Sequence, residues 1–112
     1  MIACEAAIKI QQQTKNHKKK YFELRFSKLP KTKIMIATLG RTLTKARAVR
    51  RLKNKLDTVT CFGYNARQIA NRAGNGKTPL HHTVKSLDNK QSYPKFSHYH
   101  PRGNRAHSAY IL

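Results

Sequence analysis

The chain has 112 residues, of which 24 are Lys or Arg and only 4 are Asp or Glu, for a formal charge of +20. That length suits one domain, or one domain with an arm. The charge excess repels itself in the compact state and calls for an anionic partner, nucleic acid first and an anionic membrane surface second. No stretch holds the roughly 20 apolar residues of a membrane span, so no membrane span is expected. Met1 to Ile10 lacks the charge order of a secretory signal peptide.

In chain order, residues 3–13 are weakly helical, and Asn16 to Lys20 is a basic, linker-like run. Tyr21 to Phe26 alternates, which puts Phe22, Leu24 and Phe26 on one strand face. A turn with Pro30 and a second apolar run, Ile34 to Leu39, complete a predicted β-hairpin. Thr42 or Thr44 caps a predicted helix reaching about Lys55, with Ala48, Val49, Leu52 and Leu56 on its apolar side. Arg47, Arg50, Arg51, Lys53 and Lys55 make the rest of that helix cationic, a same-sign surface suited to phosphate. Leu56 to Phe62 reads as a short strand, and Asn65 to Ala73 as a second helix closed by Gly74. Residues 74–95 read as loop. Phe96 to His100 and Ala106 to Leu112 read as two final strands joined by the turn Pro101 to Arg105.

The expected fold class is therefore α+β: a small antiparallel sheet with two or three helices packed on it, preceded by a basic β-hairpin arm. The expected division is an arm over residues 1–42 and a compact domain over residues 43–112. Charge and histidine are distributed in opposite senses. Residues 1–56 hold 16 of the 24 Lys and Arg, whereas five of the six histidines lie after residue 80. Cys4 and Cys61 make no metal-binding pattern and are expected to be free thiols.

Gly74-Asn75-Gly76-Lys77-Thr78 is not a phosphate-binding loop, because Asn71 stands where that pattern needs its first glycine. His98-Tyr99-His100-Pro101 carries more. Residues two apart on a strand share a face, so His98 and His100 project together and Tyr99 projects oppositely. His107, across the turn, can join them. Clustered imidazoles serve metal-independent RNA cleavage, one accepting the 2′-OH proton and another, protonated, serving the leaving oxygen. Arg102, Arg105 and Lys85 are candidate donors to the phosphorane. The same histidines can instead hold a metal that activates water, but only Asp57 and Asp88 are at hand as carboxylates. Proton transfer is the favoured reading, with no metal and no cofactor expected. Of His81 and His82, at most one can join the site, because neighbours on an extended chain point oppositely.

The stretch from about Leu43 to Leu112 resembles the C-terminal toxin domains of bacterial polymorphic toxins, carried on LXG, RHS-type and contact-dependent delivery proteins. Three pieces carry the likeness: Leu43 to Ala48; Asp57-Thr58-Val59-Thr60 followed by Asn65 to Gly74; and Tyr93-Pro94 through His98-Tyr99-His100-Pro101, Asn104-Arg105 and His107-Ser108-Ala109-Tyr110. The likeness departs at Asn65, usually acidic, and at Ala109, usually a large aromatic. It implies a nuclease toxin, ribonuclease activity being common among such domains, delivered into the cytoplasm of a target cell and neutralised by an acidic immunity protein. Carried over by position, His98, His100, Arg105 and His107 are the catalytic candidates. Arg47, Arg50, Arg51, Lys53, Arg67, Lys77, Lys85 and Arg102 are the expected nucleic-acid contacts. The competing expectation is a non-enzymatic DNA- or RNA-binding module. It would be akin to the arm-binding region of tyrosine integrases over residues 20–50, or to a ribosomal protein.

Overall fold

A computed structural model describes residues 21–28, 30–31, 35–83 and 96–111. The predicted helix at 3–13, the basic run at 16–20, Cys4, Lys85 and Asp88 lie outside the described residues.

The protein is an α+β fold, with a six-stranded mixed sheet and two helices packed on it. The strands are β1 (Tyr21–Lys28), β2 (Met35–Leu43), β3 (Thr58–Thr60), β4 (Leu80–His82), β5 (Ser97–His100) and β6 (Ser108–Tyr110). The helices are α1 (Lys45–Lys53) and α2 (Gly63–Ala73). The sheet order is β2-β1-β3-β6-β5-β4. Every pairing is antiparallel except β3 with β6, which run parallel. The hairpin is continuous with the rest of the sheet, since Tyr21 pairs with Thr60 and Phe22 with Val59.

Alternation along the strands divides the core between two faces. Phe22, Leu24, Ala37, Val59, Phe96 and Ala109 form one buried cluster. Tyr21, Ala48, Leu52, Ile69 and Ala106 form the other, under the helices. Complete burial of a side chain the size of Leu52 or Ile69 is worth about 1.5–3 kcal/mol, so these two anchor the helices. Ser108 ties α2 to the sheet, its buried hydroxyl donating to the Ala66 carbonyl at 2.7 Å.

Thr44 is the cap of α1, its hydroxyl accepting from the Arg47 amide at 3.2 Å. The apolar side of that helix is Ala48 and Leu52; Leu56, beyond its end, is exposed. Gly74 follows α2 as expected, but its φ of −91° does not require glycine. The requirement is one of space. A Cβ there would come within 3.0 Å of the Arg102 amide, in the turn between β5 and β6. The left-handed positions just after α2 are Asn75 and Gly76.

The segment read as loop contains a strand. Leu80 to His82 pair with His100 to His98 and form the sheet edge. Three exposed residues without apolar alternation give no strand signal of their own, and the pairing comes from β5.

Candidate functional site: a four-histidine cluster

His98 and His100 stand on β5, two residues apart and on one face. Tyr99 points the other way, opposite Ser108, whose hydroxyl bonds to α2. The imidazoles therefore occupy the face opposite the helices. The turn at Pro101–Arg105 returns the chain so that His107, just before β6, reaches the same face. The β4 pairing sets His82 directly across from His98.

The four rings converge. Centroids lie 4.7 Å apart for His98–His100 and for His98–His107, and 4.9 Å for His100–His107. His82 lies 5.2 Å from His98 and 5.0 Å from His100. His81 is excluded: it stacks on Tyr99 at 4.1 Å and bonds the Tyr110 hydroxyl at 2.7 Å, on the other face.

Each of the three inner rings has its Nδ1 fixed. That of His98 lies 2.6 Å from the Phe96 carbonyl and that of His100 lies 3.0 Å from the Ala106 carbonyl. A carbonyl only accepts, so both Nδ1 atoms carry the proton and both Nε2 atoms keep a lone pair. The two Nε2 atoms lie 3.1 Å apart. His107 Nδ1 lies 3.0 Å from Asp57 Oδ1, which also accepts from the His107 backbone amide at 2.8 Å.

The electrostatics follow from burial. Loss of solvent pushes the His98 imidazolium down to about 4, against the opposing help of the Phe96 carbonyl, and the three neighbouring histidines push the same way. His100 is lowered for the same leading reason, with His107 and His82 adding to it. Burial works against ionisation of Asp57, but the side-chain and backbone hydrogen bonds from His107, then the charges of His107 and Arg51, outweigh it and lower its acidity range. At neutral pH the cluster thus offers two neutral rings with converging lone pairs, beside an imidazole oriented by a carboxylate.

The sequence-predicted residues separate into those near the cluster and those away from it. Arg102 and Arg105 lie in the β5–β6 turn, both exposed, and Arg102 Nε donates to the Thr78 carbonyl at 3.1 Å. Arg47, Arg50, Lys53 and Arg67 are exposed on the helices, on the opposite face of the sheet, and Lys77 is exposed after α2. Arg51 differs from its helix neighbours. It donates to the carbonyls of Asp57 at 2.6 Å and Leu24 at 3.3 Å and pairs with Glu23 at 3.3 Å, so it is committed to holding α1 on the sheet. Two members of the site were left undecided by the sequence: His82, chosen over His81 by an edge pairing, and Asp57, which is the orienting partner of His107, 50 residues distant.

No protein-family model, curated protein or solved structure matches the chain. The cluster's chemistry must therefore be read from its own atoms. Convergent neutral imidazoles bind a cation, and an imidazole backed by a carboxylate accepts a proton.

Proposed function

We propose that the protein cleaves phosphodiester bonds of nucleic acid, RNA before DNA, at the four-histidine cluster. The observation that carries this reading is His107, held by Asp57 in one tautomer with no hydrogen bond to its Nε2 among the described residues, beside two Nε2 atoms 3.1 Å apart. His107 takes the proton from the attacking oxygen as the new P–O bond forms, and the leaving oxygen takes a proton from solvent water as its own P–O bond breaks. His82, His98 and His100 would hold a cation where they converge, and it would supply electrostatic stabilisation of the charge that develops on the phosphate. A formal charge of +20 supplies the attraction that concentrates a polyanion on the surface. A strand passing over the β5–β6 turn meets the exposed Arg102 and Arg105. The motif likeness to polymorphic toxin domains supports the same activity, with delivery into a target cell and an acidic immunity protein as its corollaries. The binding-module alternative shares the charge but assigns no role to His107 and Asp57.

The test is incubation of the full chain with transfer RNA and with single- and double-stranded DNA, in parallel with chelator and with added divalent metal. RNA cleavage that is lost in His107→Ala, while that variant still binds RNA, supports the proposal. Tight, salt-sensitive binding with no cleavage under any of those conditions sinks it in favour of the binding module.

A further inference from the structure

We propose that His82, His98 and His100 form a binding site for a divalent first-row transition ion of the zinc class, with one coordination position left open toward solvent. The inference names the cation on which the reaction proposed above rests, but the ion can bind whether or not RNA is cut.

The ligand geometry is the first ground. One nitrogen from each of the three rings falls within 4.8 Å of the other two. An ion with zinc–nitrogen bonds of about 2.0–2.1 Å places two tetrahedral ligands about 3.3 Å apart. The Nε2 atoms of His98 and His100 are separated by 3.1 Å.

The second ground is tautomer. A metal-ligating histidine characteristically gives its other N–H to a carbonyl or carboxylate, which fixes ring orientation and raises ligand basicity. His98 and His100 both do this, to Phe96 and Ala106. The result is two acceptors facing each other at hydrogen-bond distance with no hydrogen of their own to share. Such an arrangement is repulsive until a cation sits between them.

The third ground is placement. His98 and His100 are half-buried and come from one rigid strand, while His82 is exposed and comes from the neighbouring edge strand. Two firm ligands and a third at the rim leave the solvent side open. Three neutral imidazoles leave the ion its full double charge, unlike a carboxylate-rich site. That suits a phosphate oxygen or a bound water as the fourth ligand. The cations of α1 and α2 stand on the other face of the sheet. His107 lies outside the group of converging nitrogens and, oriented by Asp57, would serve beside a bound ion as the proton acceptor.

The experiment uses the full chain, stripped with chelator and titrated with Zn2+ in competition with a chromophoric chelator. Co2+ absorption reports coordination geometry, and circular dichroism reports folding of each variant. The expected result is one ion per chain with micromolar or tighter affinity, weakened about 100-fold or more in His98→Gln and His100→Gln and less in His82→Ala. Nitrogen ligands and an open position give Co2+ a tetrahedral or five-coordinate visible spectrum. His81→Ala, on the other face, is expected to bind as the wild type does. Absence of stoichiometric binding overturns the proposal, as does equal loss in His81→Ala, or binding that survives His98→Gln/His100→Gln in a folded chain. Zinc bound as described with no cleavage of RNA keeps the site and removes the reaction. Cleavage by a chain that binds no metal removes the site and leaves the cleavage to His107 and its neighbours without a cation.

Discussion

Nε2 of His98 and Nε2 of His100 face each other at 3.1 Å, each with its Nδ1 on a backbone carbonyl. In chelator the two lone pairs oppose each other, a local conflict of the kind functional sites retain at the expense of stability. Removing one ring relieves it. His100→Ala in chelator is expected to melt within about 2 °C of the wild type, or above it, although it loses a bond to Ala106 that would ordinarily contribute about 1 kcal/mol. With saturating Zn2+ the wild type rises and the variant does not. Thermal melts of both chains with and without metal check this, and a large drop for His100→Ala in chelator speaks against opposed lone pairs.

Asp57 accepts two bonds from His107, one from the backbone and one from the ring. Asp57→Asn keeps the shape, but its amide presents either an oxygen or an NH2 to Nδ1, so the tautomer is no longer fixed. The expected loss in kcat is about 100-fold or more with KM little changed, since the carboxylate acts through His107 and touches no substrate. Steady-state kinetics on a short RNA separate the two parameters. A change confined to KM would place Asp57 in substrate binding instead.

Arg50 and Arg51 are neighbours with different tasks. Arg50 is exposed, while Arg51 is bonded to Asp57, Leu24 and Glu23. Arg50→Ala is expected to change stability by less than about 0.5 kcal/mol. Where Arg50 meets a phosphate, the same change lowers the slope of log affinity against log salt by about one. Arg51→Ala should instead cost about 2–3 kcal/mol, because a charged donor to three acceptors is lost. Denaturant melts and salt-titrated RNA binding on both variants give the answer, and the opposite assignment would refute it.

Much of this was legible in the sequence. Alternation marks β1, the Thr44 hydroxyl marks the start of α1, and the two-residue spacing of His98 and His100 sends both rings to one face. The turn at 101–105 brings His107 back as that spacing suggests. What alternation cannot say is which strand lies next door. The parallel meeting of β3 and β6 brings Asp57 beside His107, and an edge pairing makes His82 rather than His81 the fourth ring. Same-sign charge along α1 likewise hid Arg51, whose partners lie on other elements of the chain.

Glu23 supplies the acid limb. Its carboxylate accepts from the Arg41 amide at 2.8 Å, the leading cause of its lowered acidity range; partial burial opposes, and the bond and charge of Arg25 and the charge of Arg51 assist. A folded-state value below the unfolded one means that its contribution is complete above the unfolded value of about 4.3 and is lost as pH falls through the lower folded value. Glu23→Gln is expected to be less stable than the wild type by about 1–2 kcal/mol near pH 7, with the gap closing below about pH 4. Melts from neutral to acid pH on both chains test this. A gap that stays constant with pH would assign the loss to shape, not charge.

Asn104 joins the cluster to the helix layer. Its Nδ2 donates to the Leu52 carbonyl near the end of α1 at 2.8 Å, and its Oδ1 accepts from the Ala106 amide at 2.8 Å. The Ala106 carbonyl in turn holds His100 Nδ1, so a continuous relay runs from α1 to a ligand ring. Asn104→Ala removes both bonds and leaves partly buried groups unpaired, at about 1–3 kcal/mol. It also frees the segment that fixes the His100 tautomer, and zinc affinity should fall about 10-fold with all three ligand rings intact. Asn104→Asp separates the two effects. Its carboxylate still accepts from Ala106 but repels the Leu52 carbonyl, so affinity should recover toward the wild type while stability does not. If stability and affinity move together in both variants, the relay is only a packing contact, and His100 takes its orientation from β5 alone.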